Sequence, residues 1–470
     1  MFHMNNMNVE KILRHTTYFF LFLLPWQTVL ILQERFLEGA KWEYGTIGFF
    51  ATEILGWVLV LLFMMWYIKK FQNSKFKIQN FRWSKDRLFV LSIFLFTSYG
   101  VLMAFFAGDS DVAFQHAQWV MLGSLLFLLF FIGPIKAKSA LWALVLGSIP
   151  VSLLGIWQFL MQSTVASTLL GLSQHIVYES GTSIIQSSEI GRWFRAYGSF
   201  SHPNVFGGYL VCAMVSTLLL SLSVQRWKRV GLQSIVVLQS AALFFTFSRS
   251  AWIAVGIVLL FYCSIVVRHA TFGRGLKLGW RTREVPPLAL PLAKGEKRAS
   301  LITFCVSVVS VFVIFSFVYS PLLQTRFAVS SSNEVASITE RVSGYSEAFH
   351  IFQNNWLIGV GGGNYTYALM QAMPGHDVWW YQPVHNVGVL FIVEYGVFGM
   401  VLLVLVILNF IRNLKLDIRN LWGYIAILIS LLLLDHYLWS SFVGVILLFV
   451  FTALYFRYIR DTVSPHVVPT

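Results

Sequence analysis

Charged side chains are scarce in this sequence. Only 11% of the 470 residues are Asp, Glu, Lys or Arg, whereas 57% are hydrophobic. Too few polar side chains remain to cover a globule of this size, which excludes an ordinary water-soluble protein. Cysteine is also scarce, and Cys212, Cys263 and Cys305 all lie in apolar runs. This placement indicates packing residues and argues against a disulfide framework or a cysteine metal site.

Long apolar runs recur along the chain, and a helix needs about 20 apolar residues to cross a hydrocarbon core of about 30 Å. We therefore expect an all-α integral membrane protein, with residues 1–470 as a single polytopic domain. About twelve transmembrane helices are predicted, at 18–32, 47–68, 88–107, 116–134, 140–162, 204–224, 233–247, 250–267, 300–319, 386–410, 421–434 and 437–456. The first follows Lys11 and Arg14 like a signal sequence but lacks a small-residue cleavage site, which predicts a retained anchor.

The net charge of +14 is distributed unevenly between the two sides of the predicted bundle. If the N-terminus is inside, 27 of the 34 Lys and Arg residues fall in inside segments. The positive-inside rule then predicts cytoplasmic N- and C-termini, so the basic pI requires no nucleic-acid partner. The outside residues are Arg35, Lys41, Arg192, Arg195, Arg249, Arg326 and Arg341.

Three long connecting segments differ in composition. Segment 268–299 is basic and Pro-rich, which predicts a disordered cytoplasmic loop. Segments 163–203 and 320–385 are predicted as the first and the large periplasmic loop, and long loops of this kind are often functional. In the large loop, Ser337 and Glu340 form a candidate capping box before apolar residues at helical spacing. This pattern predicts an amphipathic helix, either at the outer membrane surface or against the bundle.

Four predicted helices begin at the outer face with unusual residues. They are the helices that start near His202 and Pro203, at Arg249, at His385 and at Asp435. A helix N-terminus presents free backbone N–H groups and the positive end of the helix dipole, which favours anion binding. Each residue also has a plainer interpretation, since His202 and Asp435 suit helix caps or turns and Arg249 suits a snorkelling anchor.

In the stretch "PVHNVGVLFIVEYGVFGM", polar residues within one apolar segment again allow either a functional or a structural interpretation. On a continuous helix, Gly396 and Gly399 lie on the His385 face, so a neighbouring helix is expected to approach closely below the histidine. Glu394 lies on the opposite face and deeper in the membrane. We expect a structural hydrogen-bonding role for Glu394, with proton handling as the alternative. Upstream, "GVGGGNY" favours a flexible turn, with an anion-binding backbone nest as the alternative.

Several of these motifs together resemble the O-antigen ligase and polymerase superfamily. They are "RAYGSFSHPNVFGGY" from Arg195, "SRSAW" from Ser248, "ERVSGYSEAF" from Glu340, "GVGGGNY" before "PVHN", and the pattern His-Asn, nine residues, Gly-x-x-Gly from His385 to Gly399. The resemblance implies a GT-C-type glycosyltransferase architecture in the bacterial inner membrane. It also implies a glycan donor carried on undecaprenyl diphosphate and an active site that faces the periplasm.

The resemblance also assigns roles to residues. His385 resembles the essential histidine, and Arg195, Arg249 and Arg341 resemble arginines around the lipid diphosphate, while Asp435 occupies the place of a late acidic residue. The candidate catalytic residues are His385, Arg341 and Arg249. The candidate substrate-binding residues are Arg195, His202, Asn204, Asn386, Gly361, Gly363 and Asp435.

Arginine and histidine suit the implied chemistry. Arginine donates two parallel hydrogen bonds to phosphate oxygens and stays charged, and histidine can accept a hydroxyl proton near neutral pH. The outward face carries Asp109 and Asp111 two residues apart and a lone Asp435, but no paired-carboxylate motif for a divalent cation. We therefore expect no metal and no cofactor.

The sequence leaves three functional interpretations open. We favour a ligase that moves the glycan to a lipid A core or another glycan or glycolipid acceptor, with inversion. A polymerase that extends lipid-linked repeats shares this chemistry. A polyprenyl-linked sugar transporter is the alternative from another class, although the polar residues gather at one face and no internal repeat is evident.

Overall fold

The computed structural model describes residues 6–73, 85–179, 181–272, 295–328, 332–414 and 418–463, and these are mostly helical. The helices are α1 (Asn6–Leu23), α2 (Ala51–Asn73), α3 (Lys85–Ala104), α4 (Ser110–Ile132), α5 (Ala137–Met161), α6 (Pro203–Ser221), α7 (Arg226–Phe245), α8 (Arg249–Phe272), α9 (Gly295–Val318), α10 (Ser320–Ala328), α11 (Ser332–Asn355), α12 (Tyr365–Ala372), α13 (Val387–Leu414), α14 (Ile418–Leu434), α15 (Tyr437–Ser440) and α16 (Phe442–Val463). The strands are β1 (Val29–Gln33), β2 (Phe36–Leu37), β3 (Ala40–Lys41), β4 (Ile47–Phe50), β5 (Ile184–Ser187) and β6 (Gly191–Phe194). Neighbouring strands form three antiparallel pairs, β1–β4, β2–β3 and β5–β6.

Eight helices among the described residues are long and apolar enough to cross a membrane. They are α2, α3, α4, α5, α6, α9, α13 and α16. Shorter apolar stretches occur in α8 and α14. The chain is therefore a multi-pass, all-α membrane protein, and the full count of twelve spans stays a prediction.

The first predicted span, 18–32, is wrong as a continuous helix. Helix α1 ends at Leu23, and residues from Val29 pair with β4 as the strand β1. Pro25 explains the end, because proline has no backbone N–H to donate and its ring clashes with the preceding turn. The sequence "LPWQTVLILQ" is largely apolar apart from Gln27, Thr28 and Gln33, so hydropathy alone did not separate the helix from the strand.

The centre of the bundle is α6, in which nearly every residue is buried. It packs against α5, α7 and α8, while α16 packs against α4. Two glycines near the start of α6 permit this proximity. A Cβ atom at Gly207 would lie 2.9 Å from Ala251 in α8, and one at Gly208 would lie 1.9 Å from the Tyr437 hydroxyl in α15. These glycines bring three helix starts together at one end of the bundle.

The segment between α9 and α13 contains α10, α11 and α12. Helix α11 begins at Ser332, so the predicted capping box at Ser337 is wrong and this residue lies in the second turn. Gly344, Ala348 and Ile351 are buried, whereas Val342 and Phe349, on the predicted apolar face, are exposed. Helix α11 packs against α13 through its small residues. The exposed apolar side chains fit the predicted position at the membrane surface.

Helix α13 is interrupted at Gly396, whose φ of 64° and ψ of −175° lie outside the helical region. The connection from Trp356 to Gly361 crosses this break and takes up the freed hydrogen bonds. Val360 N donates to Val393 O at 3.1 Å, and Gly361 N donates to Glu394 O at 2.9 Å. On the other side of the break, Val397 N donates to Trp356 O at 2.9 Å.

The expectation of a continuous helix from His385 to Gly399 is therefore wrong, and the relative faces assigned to its residues do not apply. A Cβ atom at Gly396 would lie 2.5 Å from Leu357 O. The glycine admits an extended connection instead of a neighbouring helix. Gly399 does permit a close helix contact, since its Cβ would lie 3.0 Å from the Tyr99 ring of α3.

The predicted cytoplasmic loop 268–299 falls largely at residues 273–294, which lie outside the described residues. Helix α8 extends to Phe272 and α9 begins at Gly295. The three cysteines are free, and Cys263 and Cys305 bring their sulfur atoms to 3.5 Å between α8 and α9.

Candidate functional site

The four unusual helix starts meet around one carboxylate. Asp435 Oδ2 accepts a hydrogen bond from Asn204 Nδ2 at 2.9 Å and lies 3.5 Å from Ser250 Oγ. Asp435 also precedes His436, whose ring centroid is 5.0 Å from that of His385. The starts of α6, α8 and α13 and the turn before α15 therefore form a single polar site.

His202 both caps a helix and lies in this site. Its Nδ1 accepts a hydrogen bond from Asn204 N at 3.1 Å, which is the geometry of an N-cap at the start of α6. The plainer interpretation of His202 as a cap is thus confirmed. Burial lowers the pKa of His202 well below its ordinary value, and the nearby Arg195 and His385 add to this effect.

Arg195 is 4% exposed and uses its guanidinium within the protein. Its Nε donates to Thr246 O at 2.7 Å, its Nη1 to Ser183 Oγ at 2.7 Å and its Nη2 to Asn204 Oδ1 at 2.8 Å. Because Asn204 in turn donates to Asp435, this arginine orients the amide that holds the central carboxylate. Binding of substrate by Arg195 stays a prediction.

The turn between α7 and α8 organises a second arginine that sequence reasoning missed. Phe247 has a positive φ of 48°, an uncommon conformation for a bulky residue. Its carbonyl oxygen accepts from Arg326 Nε at 3.2 Å, next to the Thr246 carbonyl that accepts from Arg195. Arg326 is 7% exposed. Its position among the few outside arginines was the only signal for it in the sequence.

Arg249 begins α8 directly after this turn. Its neighbour Ser250 approaches Asp435, so the backbone of Arg249 lies at the edge of the site. A role for Arg249 with the substrate stays a prediction.

Arg341 in α11 is close enough to act electrostatically on His385, His436 and Asp435. Its Nε is buried and has no hydrogen-bond partner among the described residues. An unsatisfied buried donor is unfavourable unless a ligand supplies the acceptor. Arg341 is therefore well placed to receive an anion.

His385 lies just before α13 and is half-buried. Burial, with a smaller effect of Arg341, lowers the pKa of His385 to about 4, so its imidazole is neutral near pH 7 and able to accept a proton. The adjacent Asn386 caps α13, because its Oδ1 accepts from Val389 N at 3.1 Å. Its Nδ2 donates to the Tyr345 hydroxyl of α11 at 3.3 Å.

Burial raises the pKa of Asp435 to about 6, even though the His436 amide, Arg341, Asn204 and Arg195 favour the ionised form. Burial also lowers the pKa of His436 well below its ordinary value. His436 was named in the sequence only as a turn residue beside Asp435. Its Nδ1 lies 2.6 Å from Ser440 Oγ, which fixes the orientation of its ring toward His385.

Two groups of residues were considered as metal sites. Ligand atoms of His385, Asp435 and His436 lie within 4.8 Å of one another, which is sufficient for three donors. Arg195 and Arg341 act on the same carboxylate, however, and their positive charge disfavours a bound cation. The other group, Asp109 and Asp111, is occupied by salt bridges to Arg35.

The glycine-rich connection does form a backbone nest, and the anion in it is a side chain of the protein. Gly361 N donates to Glu394 O, and the backbone N–H groups of Gly363 and Tyr365 interact with the Glu394 carboxylate. Asn364 also joins this connection to the start of α4, since Asp109 N donates to Asn364 Oδ1 at 2.8 Å. Gly361 and Gly363 therefore have a structural partner, and their binding of substrate stays a prediction.

The O-antigen ligase family model matches residues 234–404. This match supports the resemblance of the chain to the O-antigen ligase superfamily. The matched region includes Arg249, Arg341, His385 and Glu394, whereas Arg195 and Asp435 lie outside it. A search of curated proteins found no match to this chain.

The match to the O-antigen ligase family implies ligase-type or polymerase-type activity, and hence a glycosyltransferase-like enzyme. It also implies a lipid-linked glycan and an acceptor as partners. The apolar helices agree with this assignment, because such a glycan is bound at a membrane.

Proposed function

We propose that this protein is an O-antigen ligase-like glycosyltransferase that moves a glycan from undecaprenyl diphosphate to a surface acceptor. The acceptor is a lipid A core or another glycan or glycolipid. The observation that carries the proposal is the buried, unsatisfied Nε of Arg341 beside a neutral His385. Arg341 is suited to bind a diphosphate, and His385 is suited to accept the proton of the acceptor hydroxyl. We also propose a GT-C-type architecture, cytoplasmic termini and a site that faces the periplasm.

An apolar groove between α8, α9 and α10 supports a lipid-linked donor. Its volume is about 660 Å³, and its walls include Trp252, Gly256, Phe312 and Phe317. Trp252 lies one turn after Arg249, so the groove extends toward the polar site. A polyprenyl chain in this groove would leave its diphosphate near the arginines. The apolar lining of the groove suits a lipid better than a free nucleotide-linked sugar.

A narrow polar cleft on another side of His385 supports an acceptor that carries hydroxyl groups. The cleft is lined by His385 together with Glu340, Ser343, Glu347 and Trp380. Carboxylates accept hydrogen bonds from hydroxyls, and an aromatic ring provides a face for a sugar. The cleft therefore places the carboxyl groups of Glu340 and Glu347 beside His385.

In the proposed reaction, an acceptor hydroxyl oxygen attacks the anomeric carbon of the donor sugar. A new carbon–oxygen bond forms as the bond from the anomeric carbon to the diphosphate oxygen breaks, and undecaprenyl diphosphate leaves with the electron pair. Neutral His385 takes the hydroxyl proton, and ionised Asp435 stabilises the resulting imidazolium. Arg341, with Arg249 in support, stabilises the charge that develops on the diphosphate. A single displacement inverts the anomeric configuration.

We favour a ligase over a polymerase, and the two activities differ in the acceptor. A polymerase would have to seat a second lipid-linked repeat as acceptor. The glycan profile of a deletion strain distinguishes the two. Loss of a ligase leaves long polymer on the lipid carrier, whereas loss of a polymerase leaves single repeats.

A transfer assay with purified protein tests the enzymatic proposal directly. Lipid-linked glycan and acceptor are incubated with the protein in detergent or liposomes, and the products are identified by mass spectrometry. We expect a glycosylated acceptor and free undecaprenyl diphosphate. A protein that moves the donor across the liposome bilayer but yields no product would be a transporter, and the proposal would be rejected.

A further inference from the structure

Glu394 is almost completely buried in α13, nine residues after His385, and its carboxylate is bound from two directions. Trp439 Nε1 donates to Glu394 Oε2 at 2.8 Å. From the other direction, the backbone N–H groups of Gly363 and Tyr365 interact with the carboxylate. The residue is 3% exposed, so water does not compete for these donors. A buried carboxylate is stable only when such donors surround it.

Trp439 belongs to α15, the four-residue helix that follows Asp435 and His436. The indole N–H is held by Glu394, and the Trp439 carbonyl accepts from His116 Nε2 at 2.9 Å. Within the same turn, Trp439 N donates to His436 O at 2.9 Å. The position of Trp439 therefore fixes the position of His436.

The second set of donors fixes the glycine-rich connection against α13. This connection crosses the break at Gly396, and Tyr99 closes it by donating its hydroxyl to Ile358 O and Tyr395 O at 2.9 Å each. Since His385 lies just before α13, the relative position of His385 and His436 depends on two hydrogen-bonded contacts of Glu394. One is the hydrogen bond from the Trp439 indole, and the other is formed by the backbone N–H groups of Gly363 and Tyr365.

We propose that Glu394 is a positioning residue that sets the distance between His385 and the Asp435–His436 turn through Trp439. The inference rests on the proposed glycosyl transfer and assigns to Glu394 the role of hydrogen-bond acceptor. Proton transfer by the carboxylate is not required. Glutamine at this position retains one oxygen, which can accept the indole N–H, but its NH2 group cannot accept from the backbone N–H groups of Gly363 and Tyr365. Leucine retains only the approximate size.

The test compares Glu394→Gln, Glu394→Leu and Trp439→Phe in the purified full-length protein. We expect Glu394→Gln, which keeps an acceptor for the indole N–H, to lower kcat less than Glu394→Leu does and to keep the pH profile. Glu394→Leu and Trp439→Phe should each lower kcat at least tenfold while the donor KM changes by less than threefold. Tyr395→Phe is the matched control, because the Tyr395 hydroxyl has no hydrogen-bond partner among the described residues and should be dispensable.

A second measurement does not depend on transfer. Diethyl pyrocarbonate modifies accessible histidines, and the rate at His436 can be followed by mass spectrometry. We expect Glu394→Leu and Trp439→Phe to raise this rate at least threefold, Glu394→Gln to raise it less, and Tyr395→Phe to leave it unchanged. If wild type shows no transfer, the proposed function fails, but the histidine rates still report on positioning.

Three results would overturn the inference. The first is a Glu394→Gln protein as inactive as Glu394→Leu with an unchanged thermal unfolding midpoint, because the oxygen that accepts the indole N–H would then contribute nothing to positioning. The second is a Glu394→Leu protein with wild-type kcat. The third is an unchanged rate of His436 modification in Trp439→Phe, which lacks the indole N–H but keeps an aromatic ring and therefore is expected to fold.

Discussion

Replacement of Arg341 by lysine separates positive charge from hydrogen-bond geometry at the proposed diphosphate site. Arg341 has a buried Nε without a partner among the described residues, and it faces His385 and Asp435. Lysine keeps the charge but not the planar pair of donors. A hydrogen bond to a charged group contributes about 1.5–3 kcal/mol. Loss of one such bond in the transition state should lower kcat/KM about 10- to 150-fold.

Arg341→Met removes the charge and both bonds, so kcat/KM should fall about 10²- to 10⁴-fold. Arg192→Lys is the matched control. Arg192 lies in β6, and its Nε donates to Val177 O at 2.8 Å within the same loop. Its replacement should leave transfer unchanged. The assay measures initial rates of glycan transfer by purified protein over a range of donor concentrations.

The assignment of Arg341 would be refuted by an Arg341→Lys protein whose kcat/KM is within threefold of wild type. Equal losses in the Lys and Met variants would also refute the geometric part of the argument, since charge alone would then account for the effect. Thermal unfolding midpoints of all variants identify any loss that arises from misfolding.

Four further predictions concern the same site and its orientation. His385→Ala should lower the transfer rate about 10²- to 10⁴-fold with normal membrane insertion, and a rate within a few-fold of wild type would leave His385 as a helix-start residue only. Because the pKa of Asp435 is raised to about 6, kcat/KM of the wild type should fall as the pH drops below about 6. Asp435→Asn should be slower than wild type at all pH values and should not show this fall. The same fall of kcat/KM in Asp435→Asn would exclude Asp435 as its source. Transfer should survive excess chelator, whereas loss of activity that added magnesium or manganese restores would contradict arginine-based stabilisation. The proposed orientation is tested by single cysteines in a cysteine-free background, placed at the exposed positions Ser188 and Gln225. A membrane-impermeant thiol reagent applied to whole cells should label the cysteine at position 188 but not the one at position 225. The opposite pattern would reverse the proposed orientation.

The sequence predicted the apolar helices well because their composition reflects the lipid around them. Hydropathy could not detect where an apolar segment stops being helical. Pro25 ends α1 and Gly396 interrupts α13, yet both lie in continuous apolar sequence. The partners that make these interruptions stable, β4 and the connection after α11, are distant in the chain. Their contribution depends on tertiary contacts that a single sequence does not display.

The candidate site was predicted in outline from helix starts and arginines on one side. His385 and Asp435 do meet, since ligand atoms of both lie within 4.8 Å of His436. The roles within the site could not be predicted, because residue type does not reveal which donors are already satisfied. Arg195 is engaged by three neighbours, while Arg341 retains a buried donor without a partner in the described part of the chain. Only the tertiary structure distinguishes these two arginines.

The break in α13 also determines the order in which the protein can assemble. At Gly396 the helix lacks its own hydrogen-bond partners, and in a lipid environment each unpaired backbone group costs several kcal/mol. The compensating groups of Trp356 and Leu357 belong to the segment between α11 and α12, outside the apolar helices. Insertion of α13 and folding of the preceding loop are therefore one cooperative event. Biogenesis of this membrane domain depends on an element outside the apolar helices.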